Sequence, residues 1–278
     1  MTPPRQNASA GGGCISRRGT GRSAMADPVY DPVAGLFNLA MALVLVVIVL
    51  VISRRFELRL EREITVASVR AIVQLLIVVL VIAAVFTTDN LLLVLIVLIG
   101  MAVVAAHTSA TRVKSGTGGM AVTLPAIGVG SGTGMGILIL LGVVPLEPEF
   151  IIPVGSMTIG GSMIECSLSL DRFAGEMRAH AAEVETALCL GATPGEAAAP
   201  YARESVRASL IPSIDRLRTL GIVVLPGTMA GMIIAGIDPF WAAEYQLVIM
   251  FLLLSAGLLT SIIAVHAAER AASRENTI

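Results

Sequence analysis

Apolar residues fall in seven blocks, about 33–52, 64–86, 91–108, 120–144, 151–170, 217–236 and 244–266, separated by short polar stretches. A helix needs about 20 such residues to cross roughly 30 Å of hydrocarbon, so each block can span, some with tilt. No ten-residue alternation is visible, and open strand edges would leave backbone groups unpaired in lipid. The blocks therefore predict an all-α membrane protein, a polytopic bundle of about seven transmembrane helices occupying residues 25–278.

The charges between the blocks set an expected orientation. Arg54, Arg55, Arg59 and Arg62 follow the first block, and Arg112 and Lys114 the third. Arg172, Arg178, Arg203, Arg207, Arg216 and Arg218 mark the long stretch after the fifth, and Arg270 and Arg274 follow the last. The alternate connections, around Thr87–Asn90, Leu146–Glu149 and Gly236–Ala243, hold no Lys or Arg. The positive-inside rule then predicts a plasma (inner) membrane protein with its N-terminus outside and its C-terminus in the cytoplasm. Between the first two blocks, Phe56, Leu60 and Ile64 recur at spacing four among Arg and Glu, which predicts an amphipathic helix from Ser53 to Ile64 lying on the cytoplasmic leaflet; a charged linker is the alternative.

Composition agrees with a home in lipid. The chain is 55% hydrophobic and 14% charged, with a mean hydropathy of +0.86. A net charge of −1 gives no basic excess for a nucleic-acid partner. Cys14, Cys166 and Cys189 are scattered and lack CxxC spacing, so they indicate neither a disulfide framework nor zinc. Residues 1–24, rich in Gly, Ser, Arg and Pro, are expected to be a disordered or mis-started extension, with Met25 as a candidate start.

The connection from Asp171 to Arg216 is long enough to form a structure of its own. From Glu176 to Leu190 it is helix-prone, and Gly191 supplies the residue type that most easily closes a helix in the left-handed region. Thr193-Pro194-Gly195-Glu196 reads as a capping box opening a second helix, with Pro194 where no N–H is needed. Pro200 and Pro212 are expected to interrupt or re-aim the chain before it re-enters the membrane. Ala187, Leu188, Leu190 and Ala192 would form an apolar knob beside the glycine, of a kind that docks in a partner's groove.

The run Glu183–Pro212, EVETALCLGATPGEAAAPYARESVRASLIP, resembles the EAA-type coupling loop of ABC permeases, with Glu185, Ala187 and Gly191 at its acidic, small and glycine positions. The hydrophobic-Pro element falls later than in that pattern, at Ile211-Pro212. SVRAIVQLL (68–76), LEPEFIIPVGSMTIGGSM (146–163), LGATPGEAAAP (190–200), ASLIPSIDRLRTLGIVVLPGTMAGMIIAGIDP (208–239) and YQLVIMFLLLSA (245–256) are similar to the Fet-type permease family. That family includes a bacterial permease implicated in iron export and plant permeases of aluminium tolerance. The resemblance implies an ABC permease that pairs with a separate ATPase subunit, which carries ATP and Mg, and it argues for export, with a metal ion such as iron as the expected substrate; the expected assembly is a homodimer.

This chain has no phosphate-binding GxxxxGK[ST] of its own, and no bound cofactor is expected. An intramembrane serine protease would need Ser131 or Ser162 to meet His107 or His266, and nothing in the sequence orders such a pair. Polar groups at membrane depth are the pathway candidates. Glu165 lies in the fifth block beside Met157, Met163 and Cys166, and Met229 and Met232 lie in the sixth. Glu165 and Cys166, with thioether sulfur, are candidate ligands for Fe(II) or Cu(I), while core filling is the alternative for the methionines. Arg70 and Gln74 stand one turn apart in the second block; Arg70 either snorkels to the interface or pairs with Asp215 or Glu165. A stand-alone secondary transporter or channel, with a regulatory loop, is the competing function.

Overall fold

Long apolar helices dominate the computed structural model, which describes residues 32–57, 59–86, 91–113 and 119–275. The expected extension 1–24, the Thr87–Asn90 connection and Lys114 lie outside the described residues. The described residues divide into two compact units, one up to Ile77 and one from Val78 onward.

The first unit holds α1 (Pro32–Arg55) and most of α2 (Glu61–Phe86). Arg54 and Arg55 close α1 and Glu61 and Glu63 open α2, so each charge sits at the helix end whose dipole it complements. The amphipathic helix expected at Ser53–Ile64 is not formed. Glu57 (φ 53°) and Arg59 (φ 56°) take left-handed conformations that no helix can continue through. A tight turn results, closed by the Leu60 N–H donating to Ser53 Oγ at 3.3 Å.

In the second unit, α3 (Leu91–Arg112), α4 (Met120–Leu140), α5 (Pro148–Ala179) and α10 (Pro239–Glu275) pack side by side, and the shorter helices α6 to α9 lie between α5 and α10 in sequence. Small residues set the spacing. Gly130 and Gly134 of α4 lie against α10, where a Cβ on Gly130 would stand 2.9 Å from the Thr260 nitrogen and 3.0 Å from the Ala256 oxygen. Buried hydroxyls tie the helices laterally: Thr123 of α4 donates to the Ala106 carbonyl of α3 at 2.9 Å, and Ser167 of α5 donates to Ser109 of α3 at 3.0 Å. Close backbones joined by hydroxyls are how helices associate where lipid supplies no hydrophobic contrast.

Among the described residues six helices are long and apolar enough to cross a membrane: α1, α2, α3, α4, α5 and α10. The block at 217–236 does not form a seventh continuous helix. It contains the end of α8 (Ile211–Thr219), a turn, and the eight-residue α9 (Gly227–Ile234). Gly221 (φ +77°) folds the chain so that its N–H donates to the Val224 carbonyl at 3.0 Å, Pro226 starts α9, and Gly236 (φ +88°) ends it. The broken segment still covers a span's height. Ser213 of α8 touches Glu165, and Glu165 packs on Gly257 of α10. From Gly257 back to Pro239 α10 measures about 27 Å at 1.5 Å per residue, and the chain from Ser213 to Asp238 runs antiparallel over the same distance.

Candidate functional site

The hairpin at the far end of the bundle from Pro148 and Pro239 starts where α5 outruns its apolar block. α5 continues to Ala179, and a bend at His180 separates it from α6 (Ala181–Cys189), so the helix expected over Glu176–Leu190 is in two pieces. The stop at Gly191 forms as the sequence indicates. Gly191 has φ +96°, its N–H donates to the Leu188 carbonyl, and the Ala192 N–H donates to the Ala187 carbonyl, both at 3.0 Å. These two bonds are a Schellman motif, which satisfies carbonyls that a helix end leaves open.

α7 (Pro194–Ser209) then opens on the expected capping box. The Glu196 N–H donates to Thr193 Oγ1 at 3.3 Å, and the Thr193 N–H donates to Glu196 Oε2 at 2.8 Å. The bond from the Thr193 backbone, and then that from its hydroxyl, hold the Glu196 carboxyl below the usual carboxylate range. Pro200 does not interrupt α7, which runs through it. Ala197, Ala198, Ala202, Ser205 and Ser209 are buried, so packing on α5 and α10 holds the helix where Pro200 removes one backbone bond. Pro212 does sit in the first turn of α8, where the chain is re-aimed.

The tip is apolar and open. Leu190 is 84% exposed and Leu188 38%, Glu185 and Thr193 are exposed, and Ala187 and Ala192 are half-buried. Behind the tip is a cluster that the sequence reading missed. His180 stacks on Tyr201 with ring centroids 4.9 Å apart, and the Tyr201 hydroxyl donates to Glu183 Oε2 at 2.8 Å. That bond, followed by burial and the Glu183 and Glu176 charges, raises the Tyr201 pKa. The cluster ties α6 to α7. Residues far apart in sequence form it, and their only shared sign was polarity in a loop.

Within the bundle the pathway candidates separate. Glu165 is buried, and Ser213 donates to its Oε1. Cys166, the next residue on α5, is about 100° round the helix and fully buried in the core cluster with Ala105 and Ala106 of α3, so the structure does not bring it to the Glu165 carboxyl. Met163 packs against the core near Cys166, and Met229 and Met232 are half-buried on α9. Among the described residues no three His, Cys, Asp or Glu side chains converge as a metal site. Arg70 and Gln74 are exposed on one face of α2 in the first unit. Asp215, offered above as a partner for Arg70, lies 3.4 Å from Arg218. The Ser131 hydroxyl donates to the Ile127 carbonyl of its own helix.

Residues 36–272 match the family described as "Uncharacterised protein family (UPF0014)". The chain is 37% identical over 229 residues to the "Probable iron export permease protein FetB" of Escherichia coli K12, covering 82% of this chain and 88% of that protein. It is 34% identical over 226 residues to "UPF0014 membrane protein YjkA" of Bacillus subtilis, covering 81% and 90%. It is 31% identical over 232 residues to "Protein ALUMINUM SENSITIVE 3" of Arabidopsis thaliana, covering 84% and 85%. No solved structure matches.

Proposed function

The chain belongs to the UPF0014 family, and on that premise we propose that it is the membrane-spanning permease subunit of an ABC transporter that exports a metal ion such as iron. Two copies form the pathway in the plasma (inner) membrane, each with its N-terminus outside and its C-terminus and α6–α7 hairpin in the cytoplasm. A separate ATPase subunit binds ATP and Mg and docks on the hairpin. Six continuous spans and the broken segment α8–α9 make seven crossings, the parity that the Arg distribution requires.

The observation that carries this reading is the construction of the hairpin. Its tip presents Leu190 and Leu188 to solvent from a turn fixed at both sides, by the Schellman motif at Gly191 and the capping box at Thr193. A rigid apolar knob is suited to a partner's groove. α7 carries a push inward, since it packs on α5 and α10, Ser209 lies 3.2 Å from Ser261, and a Cβ on Gly195 would stand 2.9 Å from Glu269 Oε1. The next helix, α8, holds Glu165 through Ser213. Displacement of the hairpin therefore reaches the broken segment, the backbone best able to rearrange in alternating access.

Co-purification tests it. The chain should bring down a nucleotide-hydrolysing subunit from its own cells, and replacing Leu188–Glu196 by a Gly-Ser linker, or making Leu190→Arg, should abolish that while the helical content stays. Undiminished capture by both variants contradicts docking on this hairpin and leaves a stand-alone transporter with a regulatory loop.

A further inference from the structure

Three side chains in the bundle are buried and carry polar atoms that no described protein group hydrogen-bonds: Ser162 Oγ, Glu165 Oε2, and both amide atoms of Gln246. Their relative exposures are 1%, 5% and 2%. Each unmatched group is costly in a hydrocarbon environment, so each calls for a function.

All three fall on one seam. Ser162 and Glu165 are one turn apart on the same face of α5. That face meets α10, because a Cβ on Gly161 would touch Leu253 at 3.2 Å and one on Gly257 would meet Glu165 Cγ at 2.9 Å. Gln246 and Gly257 are about three turns apart on α10, which puts both on one side of the helix and Gln246 about 16 Å nearer the Pro239 end. The third wall at Glu165 is α8, whose Ser213 donates to the carboxylate. Cys166 is turned about 100° round α5 from Glu165 and is buried in the apolar core beside Ala105 and Ala106 of α3.

Resting on the transport reading above, we propose that this seam is the cation-binding stretch that each copy contributes to the pathway, its ligands oxygens, with Glu165, Ser162 and Ser213 as one station and Gln246 as the next toward the Pro239 end. Carboxylate, hydroxyl and amide oxygens select hard, oxygen-preferring divalent or trivalent ions over soft thiophilic ones. One carboxylate with neutral oxygens holds an ion weakly enough to release it, as conduction requires. Arg216 follows Ser213 by one turn of α8, which puts it on the side of that helix that faces Glu165. It is the tethered charge with which an arriving ion competes for the carboxylate, while Ser213 remains as a ligand.

The full chain, purified in detergent without the ATPase, is titrated with Mn(II), and bound ion is read by electron paramagnetic resonance. Glu165→Gln should weaken binding by about tenfold or more, as expected when the single charged ligand is lost. Ser162→Ala and Gln246→Leu should weaken it several-fold, Glu165→Asp should keep most of it, and Cys166→Ala should leave it unchanged. Arg216→Gln alters an exposed residue and should tighten it. Cd(II) should compete no better than Mn(II). The proposal is overturned if wild type binds no Mn(II), if Cys166→Ala abolishes binding, or if Glu165→Gln and Arg216→Gln leave it unchanged. ATPase capture is measured separately: a chain that holds the ATPase but not Mn(II) loses this path and keeps the permease reading, and the converse result keeps the path alone.

Discussion

Ser213, in the first turn of α8, donates its hydroxyl to the Glu165 carboxylate of α5. This contact joins α8, the helix that follows the α6–α7 hairpin, to the one buried carboxylate among the described residues. Ser213→Ala should therefore uncouple the two ends. The expected result in reconstituted vesicles is unchanged ATPase capture and basal hydrolysis with transport reduced several-fold. Parallel loss of hydrolysis would place Ser213 in docking instead.

Gly130 and Gly132 of α4 predict opposite outcomes for one chemical change. A Cβ at Gly130 meets backbone atoms of Thr260 and Ala256, which cannot rotate aside, so Gly130→Ala should cost about 1–3 kcal/mol from overpacking. Gly132 has nothing within 4 Å and borders an apolar cavity of about 570 Å³ between α3, α4 and α5. Gly132→Ala should be neutral or stabilising by about 0.5–1 kcal/mol, since alanine costs less backbone entropy in a helix. Thermal unfolding in one detergent compares the two.

The capping box predicts a pH dependence local to the hairpin. The folded-state pKa of Glu196 is depressed below its ordinary 4.5, so its stabilisation is complete above 4.5 and is lost as pH falls through the folded value. Amide exchange at Ala197 should be slower in wild type than in Glu196→Ala at neutral pH, and the two should converge on acidification below 4.5. Thr193→Ala should cost about 1 kcal/mol of local stability at neutral pH. An exchange difference that persists at low pH would show that the Glu196 charge is not what holds the turn.

The sequence was most legible where structure is local. Gly191, Thr193 and Glu196 act within a few residues of one another, and the stop and the capping box both formed. Apolar block length located six of the membrane helices, but hydropathy sums composition and is blind to backbone geometry. Gly221, Pro226 and Gly236 are too few to lower the mean over 217–236, yet they break it into a turn and a short helix. Likewise Phe56, Leu60 and Ile64 keep helical spacing across a segment that Glu57 and Arg59 turn out of helix. The seam residues were hidden for another reason. Glu165 stood out as a charge in an apolar block, but Ser162, Ser213 and Gln246 gain meaning only from contacts between distant helices.

Docking of an ATPase requires the α6–α7 hairpin to face the cytoplasm, and a native thiol reports on that directly. In a Cys14→Ser background the remaining cysteines are Cys189, exposed on α6, and Cys166, buried in α5. A membrane-impermeant maleimide should leave the protein unlabelled in intact cells and label Cys189 in inside-out vesicles. Labelling of Cys189 in intact cells would put the hairpin outside, where no ATPase could reach it.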